Sequence, residues 1–234
     1  MYYGTPPIVT NGLVLNLDAA NTKSYVSGST TWRDLNNPLL SGSLINGPTF
    51  NSGNGGCIVF DGINDYAQFN SLPPGFQAGM TNYSFSMWFK LNTRKEAPLF
   101  EMGSSNGDNQ RISLWATSEN PNRLYAIGAG NNSTYRYSSV YLDITKIYNV
   151  TYTYNNTGTI SKLYINGIED TGLTNSTTNG SLVALGNTWV LGADSVYSRA
   201  YTQTVNIYNF MLYAKTLSAQ EVTQNYNALK SRFI

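Results

Sequence analysis

Residues 55–69 read GGCIVFDGINDYAQF, and this stretch decides the fold. Two short apolar runs, around Ile58 and Phe60 on one side and Tyr66 and Phe69 on the other, flank a turn built from Asp-Gly and Asn-Asp. Glycine adopts positive φ at no steric cost, so Asp61-Gly62 between β-favouring residues is a strong signal for strand, turn and strand. The stretch therefore predicts a β protein.

Further strands are indicated along most of the chain. Residues 83–91, YSFSMWFKL, alternate polar and apolar side chains at period two and predict a central strand. We expect the face formed by Phe85, Met87 and Phe89 to be buried between two sheets, with Trp88 on the opposite face. Asn166-Gly167 inside ISKLYINGIE (160–169) indicates a hairpin. The sequence thus predicts an all-β, antiparallel sandwich.

Only the C-terminal segment has a helical pattern. Ser218 followed by Glu221 is typical of a capping box, in which each side chain bonds the other residue's backbone. Val222, Tyr226 and Leu229 then mark one apolar face at helical spacing. We expect one short C-terminal α-helix that packs against the sandwich.

Composition excludes several classes of function. The chain has 234 residues, a net charge of +1 and only 12% charged residues, so it has no basic field for nucleic acid or for anionic membranes. No signal peptide and no apolar run long enough for membrane insertion are visible. Histidine is absent and Cys57 is the only cysteine, which argues against zinc or iron chemistry and against a disulfide framework. Cys57 is expected to be a small buried hydrophobe.

Five motifs, taken in order, resemble the laminin-G/pentraxin-like branch of the concanavalin A-like lectin and glucanase superfamily. They are LVLNLD (13–18), FDGINDY (60–66), FSMWF (85–89), LYING (163–167) and LYAKTLSAQEV (212–222). The resemblance implies a jelly-roll sandwich over residues 13–234 as a single domain, preceded by an extended arm over residues 1–12. It says less about function, because this fold carries lectins, glycosidases and scaffold modules.

A narrower resemblance is to modules of tailed-phage virion proteins. It is carried by NGLVLNLDAAN (11–21), NGPTF (46–50) and NYNALK (225–230). It implies a non-enzymatic protein that decorates the capsid or forms a head-fibre module, made in the host cytoplasm and located on the virion surface. Its expected partners are capsid or fibre subunits, further copies of itself and host or environmental glycans. The alternative is a soluble lectin or carbohydrate-binding domain, or a tail adhesin.

The sequence argues against a glycoside hydrolase. Glucanases of this fold place an acid and a nucleophile at alternate positions of one strand, so that both carboxyl groups reach one face. None of the glutamates here has a carboxylate at i+2 or i+4, and the adjacent pair Glu169-Asp170 would point to opposite faces. Serine nucleophiles have no histidine to activate them. We therefore expect no catalytic residues.

Two kinds of binding site are candidates. Asp61, Asn64 and Asp65 offer oxygen ligands for Ca²⁺ at close spacing, although Asp and Asn also stabilise tight turns; no cofactor is required by the sequence. Aromatic residues in or beside polar loops suit carbohydrate, because rings stack on the apolar faces of sugars. Core or interface packing is the alternative for any one of these rings. The candidates for carbohydrate binding are Trp32, Tyr135, Tyr137 and Tyr141.

The N-terminal arm is too apolar for a solvated tail. Its candidate attachment residues are Tyr2, Tyr3, Pro6, Pro7 and Ile8. An extended, proline-stiffened arm can add to the sheet edge of a partner. This would anchor the domain to the capsid or to a neighbouring subunit and leave its stability independent of the arm. The alternative is an arm folded back on its own sandwich.

Overall fold

The computed structural model describes residues 6–103, 111–119, 121–128, 134–155, 161–172, 185–195 and 198–234, with the side chains of residues 134 and 135 outside this description. The elements of this part of the chain are β1 (Leu13–Asp18), β2 (Thr31–Arg33), β3 (Ser41–Ile45), β4 (Thr49–Asn51), β5 (Cys57–Asp61), β6 (Tyr66–Phe69), β7 (Asn82–Leu91), β8 (Ala97–Gly103), β9 (Arg111–Ala116), β10 (Leu124–Gly128), β11 (Thr134–Tyr137), β12 (Tyr148–Asn155), β13 (Lys162–Ile165), β14 (Ile168–Glu169), β15 (Trp189–Leu191), β16 (Thr204–Tyr213) and α1 (Ala219–Leu229).

The strands form two eight-stranded antiparallel sheets that pack face to face. The first sheet has the order β14-β13-β12-β7-β16-β5-β4, with β1 paired to the second half of β16. The second sheet has the order β11-β10-β9-β8-β15-β6-β3-β2. Half of the neighbouring strand pairs are not consecutive in sequence, among them β12-β7, β7-β16, β16-β5, β8-β15 and β15-β6, as expected for a jelly roll rather than a meander. The predicted all-β sandwich with one C-terminal helix is confirmed.

The core between the sheets is aromatic. Phe85, Met87 and Phe89 of β7 are completely buried in it, as the period-two pattern predicts. Phe69 and Trp189 stack across β6 and β15 with ring centroids 3.8 Å apart. Because side chains alternate along each strand, the residues between these core positions form the two outer faces of the sandwich.

The outer face of the first sheet is covered by α1. The capping box is present in full, since Glu221 N–H donates to Ser218 Oγ and Ser218 N–H donates to Glu221 Oε2. Trp88 points away from the core, as predicted, and stacks on Tyr226 and Phe233 at 5.5 and 4.2 Å. None of the helical segments described has the length and apolar character needed to cross a lipid bilayer.

The described part of the N-terminal arm lies against α1. Ile8 and Val9 pack on the cluster of Met211, Tyr213 and Val222. The backbone of the arm is also held by hydrogen bonds: Val9 N–H donates to Asn225 Oδ1 (2.8 Å), Tyr213 Oη donates to the Val9 carbonyl (3.1 Å) and Gln224 Nε2 donates to the Pro7 carbonyl (2.8 Å). Residues 6–12 are therefore folded back on the sandwich, as the second interpretation of the arm expects. Tyr2 and Tyr3 lie outside the described residues.

Candidate functional site: an aromatic groove on the second sheet

The outer face of the second sheet carries a row of aromatic rings, which we call the aromatic row: Trp115 on β9, Tyr125 on β10 and Tyr137 on β11. The strand register places Trp115 directly opposite Tyr125 and Tyr125 directly opposite Tyr137. The ring centroids are 5.9 Å apart in the first pair and 5.1 Å apart in the second. Cross-strand neighbours of this kind stabilise the sheet. Trp115 and Tyr125 are 5% and 9% exposed, and Tyr137 is half-buried.

Alternation along β9 explains why Trp115 points outward. Ile112 and Leu114 are buried in the core, so Arg111, Ser113 and Trp115 share the opposite face. The same rule buries Leu124 and Ala126 of β10 and turns Tyr125 outward. A strand of this composition is thus able to build the core and the site together.

Tyr201 extends the row at its other end. Its ring lies 5.6 Å from that of Trp115, at an interplanar angle of 58°, and the residue is 43% exposed. Asp194 holds the backbone of this segment, because its carboxylate accepts the N–H groups of Arg199 and Tyr201 at 3.2 and 2.8 Å. Ser198 and Arg199 both have positive φ, which is costly for residues with a side chain. The surrounding hydrogen bonds keep the segment, and therefore Tyr201, in place.

A pocket of about 350 Å³ opens beside these rings. It is lined by Glu96, Arg111, Trp115, Tyr125 and Tyr201. This volume lies at the small end of the range for sites that hold small molecules, and its lining combines aromatic faces with a few polar groups, as such sites do. We refer to the pocket and the aromatic row together as the groove.

Buried polar groups fix the floor of the groove. Glu101 is completely buried, and its Oε2 accepts a hydrogen bond from Trp115 Nε1 (3.2 Å) and lies 3.7 Å from Arg111 Nη1. Its Oε1 accepts hydrogen bonds from Ser195 N–H (2.9 Å) and Ser195 Oγ (3.2 Å). Burial raises the pKa of Glu101, although Arg111 and Ser195 oppose this effect. Both carboxylate oxygens thus hold the protein's own groups in place.

The four predicted sugar-binding residues differ in location and exposure. Tyr137 belongs to the aromatic row, and Tyr141, 57% exposed, lies near it, since Arg123 sits over both rings at 5.7 and 5.9 Å. Tyr135 lies on β11, with its side chain outside the described atoms. The prediction for Trp32 is wrong, because this residue is completely buried. The apparent polar loop contains β2, in which Thr31 and Arg33 point outward and Trp32 consequently points into the core.

The predicted calcium ligands form a turn. Asp61 Oδ1 accepts the N–H groups of Ile63, Asn64 and Asp65 at 2.7, 3.3 and 3.4 Å. Desolvation raises the pKa of Asp61, but these backbone bonds outweigh it and leave the pKa lowered. In the described part of the chain, His, Cys, Asp and Glu side chains nowhere form a group of three that could hold a metal ion. The contacts match the turn interpretation of these residues.

Sequence reasoning missed most of the groove. Trp115, Tyr125, Tyr201 and Glu96 were not among its candidates. One signal was present: in RISLWA (111–116), arginine, serine and tryptophan alternate with three core residues, which places a large aromatic ring on a polar face.

Comparison with known proteins identifies the fold family. A laminin G family model, described as concanavalin A-like lectin/glucanases superfamily, matches residues 61–223, which is more than half of the chain. No curated protein sequence matches the chain.

Two solved structures illustrate the likeness of the fold. Trypanosoma rangeli sialidase in complex with sialic acid superposes with a TM-score of 0.69 at 15% identity, over 98% of this chain and 36% of the sialidase. The ligand-binding domain of botulinum neurotoxin serotype D, in complex with N-acetylneuraminic acid, gives a TM-score of 0.64 at 19% identity, over 92% of this chain and 50% of the neurotoxin domain. The chain thus spans about a third of the sialidase and half of the neurotoxin domain, and at these identities the likeness concerns the fold alone. The chain belongs to the laminin G group of the concanavalin A-like lectin/glucanase superfamily.

Proposed function

We propose that this domain binds carbohydrate in the groove of the second sheet. The observation that carries the proposal is the cross-strand aromatic row, Trp115, Tyr125 and Tyr137, continued by Tyr201. Aromatic rings offer flat apolar faces to the C–H groups of a sugar ring, while neighbouring polar groups bond its hydroxyls. The sialidase and neurotoxin structures, whose ligands are sialic acids, add support at the level of the fold.

Intrinsic fluorescence offers a direct test of this site. Of the four tryptophans, Trp32, Trp88 and Trp189 are at most 1% exposed, in the core or under α1, whereas Trp115, 5% exposed, lines the pocket. A bound sugar should therefore change the emission of the wild type and leave that of Trp115→Phe nearly unchanged. Screening a glycan array first supplies the sugar for this titration.

Affinity measurements on variants complete the test. Tyr201→Ala removes a partly exposed ring and should weaken binding about two- to tenfold, the range of one aromatic contact. Leu39→Ala is the matched control, because Leu39 is 94% exposed and lies in the turn before β3, away from the groove. Equal loss of affinity in both variants, or no binding to any glycan, would refute the proposal.

We also propose that the groove binds without cleaving. Glu101 is the carboxylate beneath Trp115, and it is completely buried with both oxygens engaged by Trp115, Arg111 and Ser195. Hydrolysis of a glycosidic bond needs an acid that reaches the leaving oxygen and a second carboxylate across the sugar. Release of reducing sugar from a glycan that binds, abolished in Glu101→Gln or in Glu96→Gln, which removes the other carboxylate at the pocket, would contradict this proposal.

A virion role is a separate proposal about the whole protein. It rests on the sequence resemblance over residues 11–21, 46–50 and 225–230. The sialidase and neurotoxin structures do not add to it, whereas the carbohydrate-binding alternative is supported by the groove. Mass spectrometry of purified virus particles tests it, since a decorating protein must be present in them at a fixed copy number.

A further inference from the structure

The charged side chains around the groove indicate which glycans it would bind. Glu96 lines the pocket and is exposed to solvent, and it forms no ion pair with any other residue described. It lies one residue before β8, an interior strand of the second sheet, so its backbone is held at the end of a paired strand. An unneutralised negative charge therefore faces any ligand that contacts Trp115 and Tyr201.

Arg111, the arginine that lines the pocket, is poorly placed to bind an acidic sugar. It is 6% exposed, and its Nη1 lies 3.7 Å from the buried Glu101 Oε2. Recognition of a carboxylate needs an accessible guanidinium fork. Removing Arg111 from Glu101 would leave a carboxylate buried without its counter-ion, which is strongly unfavourable.

Three cations farther out are engaged by protein oxygens, and a fourth, the exposed Arg94 two residues before Glu96, interacts electrostatically with the carboxylate of Asp143. Arg123 binds Glu119 through two hydrogen bonds of 2.8 and 3.1 Å. Arg199 donates from Nη1 to the Asp194 carbonyl and from Nη2 to Gln68 Oε1, both at 2.9 Å. On the same side of the molecule, Lys95 Nζ donates to the Gly62 carbonyl (2.7 Å) and to Thr202 Oγ1 (3.3 Å).

From these contacts we infer that the groove selects neutral glycans and disfavours glycans that end in a carboxylate, such as sialic acid. Glu96 repels an acidic sugar, and the same carboxylate accepts hydrogen bonds from the hydroxyl groups of a neutral one. The preference follows from repulsion as much as from attraction, as specificity often does. This inference rests on the proposed carbohydrate-binding function, and it separates the domain from the sialic-acid complexes of similar fold.

The experiment uses a glycan array with matched pairs of one oligosaccharide, with and without a terminal sialic acid. For an exposed charge, we expect the wild type to bind the sialylated member about fivefold more weakly. Glu96→Gln should bring the two signals closer together, and Glu96→Lys should bring them closer still or favour the sialylated member. Glu169→Gln removes the same charge from the first sheet and should keep the wild-type ratio.

Ionic strength gives a second measurement. Salt screens exposed charges, and at about 1 M salt the Debye length is about 3 Å. The ratio of wild-type binding to the sialylated member over binding to the neutral member should therefore rise. Wild-type preference for the sialylated member, or a ratio that Glu96→Gln does not change, would overturn the inference and leave carbohydrate binding standing. Failure to bind either member of any pair would overturn both.

Discussion

The indole N–H of Trp115 donates a 3.2 Å hydrogen bond to the carboxylate of Glu101, which is completely buried on the neighbouring strand β8. The same indole nitrogen lies 3.1 Å from Ser113 Oγ. The orientation of the Trp115 ring is therefore fixed by hydrogen bonds to two buried polar side chains, Glu101 and Ser113. A binding surface with a fixed ring loses little conformational entropy when a ligand arrives.

The first prediction concerns the pH dependence of stability at Glu101. Burial raises the pKa of this carboxyl above its usual 4.5 in the folded protein, with Arg111 and Ser195 opposing. The folded state then binds the proton more tightly than the unfolded state, so the stabilisation is complete below pH 4.5 and is lost as pH rises through the folded pKa. The free energy of unfolding of the wild type should fall relative to that of Glu101→Gln as pH rises above 4.5.

Denaturant unfolding at several pH values measures this difference. The other buried carboxyls with raised pKa, Asp34 and Asp65, are present in both proteins, so their contributions cancel. The raised pKa of Glu101 would be contradicted if the free energy of unfolding of the wild type, minus that of Glu101→Gln, stays constant or increases as pH rises.

The second prediction concerns the core face of β7. Phe85 is completely buried and packs on Phe100 and Tyr152, with ring centroids 5.4 Å away in each case. Phe85→Ala should lower the free energy of unfolding by about 3–5 kcal/mol, because the cavity cannot collapse within two rigid sheets. Ile168→Ala, at a residue 74% exposed on the edge strand β14, should change it by less than about 0.5 kcal/mol. A shift below about 1 kcal/mol for Phe85→Ala would mean that this face is not the core.

The third prediction distinguishes the two interpretations of the N-terminal arm. A free anchor would leave the stability of the domain unchanged when it is removed, but Val9 is buried against α1 and bonds Asn225 and Tyr213. Deleting residues 2–10 should therefore lower the free energy of unfolding by at least about 2 kcal/mol, from lost apolar burial and two buried hydrogen bonds. Deleting only residues 2–5 keeps these contacts and serves as the control. Unchanged thermal unfolding after the longer deletion would refute the structural role of residues 6–10.

The fourth prediction uses the single thiol as a reporter of folding. Cys57 is buried, and burial raises the pKa of its thiol to about 11. Since the thiolate is the reactive form, a thiol reagent at neutral pH should leave the native protein unmodified and label one thiol per chain after unfolding in guanidinium. Rapid labelling of the native protein would show that this strand opens readily.

Most of the fold was predictable because its signals are local. The period-two pattern of residues 83–91 sets the two faces of β7, and the confirmed capping box at Ser218 and Glu221 sets the start of α1. Asn166 and Gly167 both have positive φ, as the hairpin turn between β13 and β14 requires. These features depend on a few neighbouring residues and can be read without the rest of the chain.

The groove was less predictable because it depends on register. Which residues stand opposite Trp115 is decided by the pairing of β9, β10 and β11, and a slip of one residue would turn Tyr125 into the core. Tyr201 reaches the same place from a distant segment held by Asp194. Trp32 shows the opposite error, since a three-residue strand inside a polar stretch was too short to reveal its alternation.

The packing of both ends of the described chain on one face of the sandwich bears on how the domain can be displayed. Pro7 is bound to α1 through Gln224, and Phe233 stacks on Trp88, so residues 6–9 and 230–234 lie on the outer side of the first sheet. Trp115 and Tyr201 lie on the far side of the second sheet, with the full thickness of two packed sheets between. Immobilising or fusing the domain through either end therefore directs the rings of the groove away from the support and toward the surrounding solution.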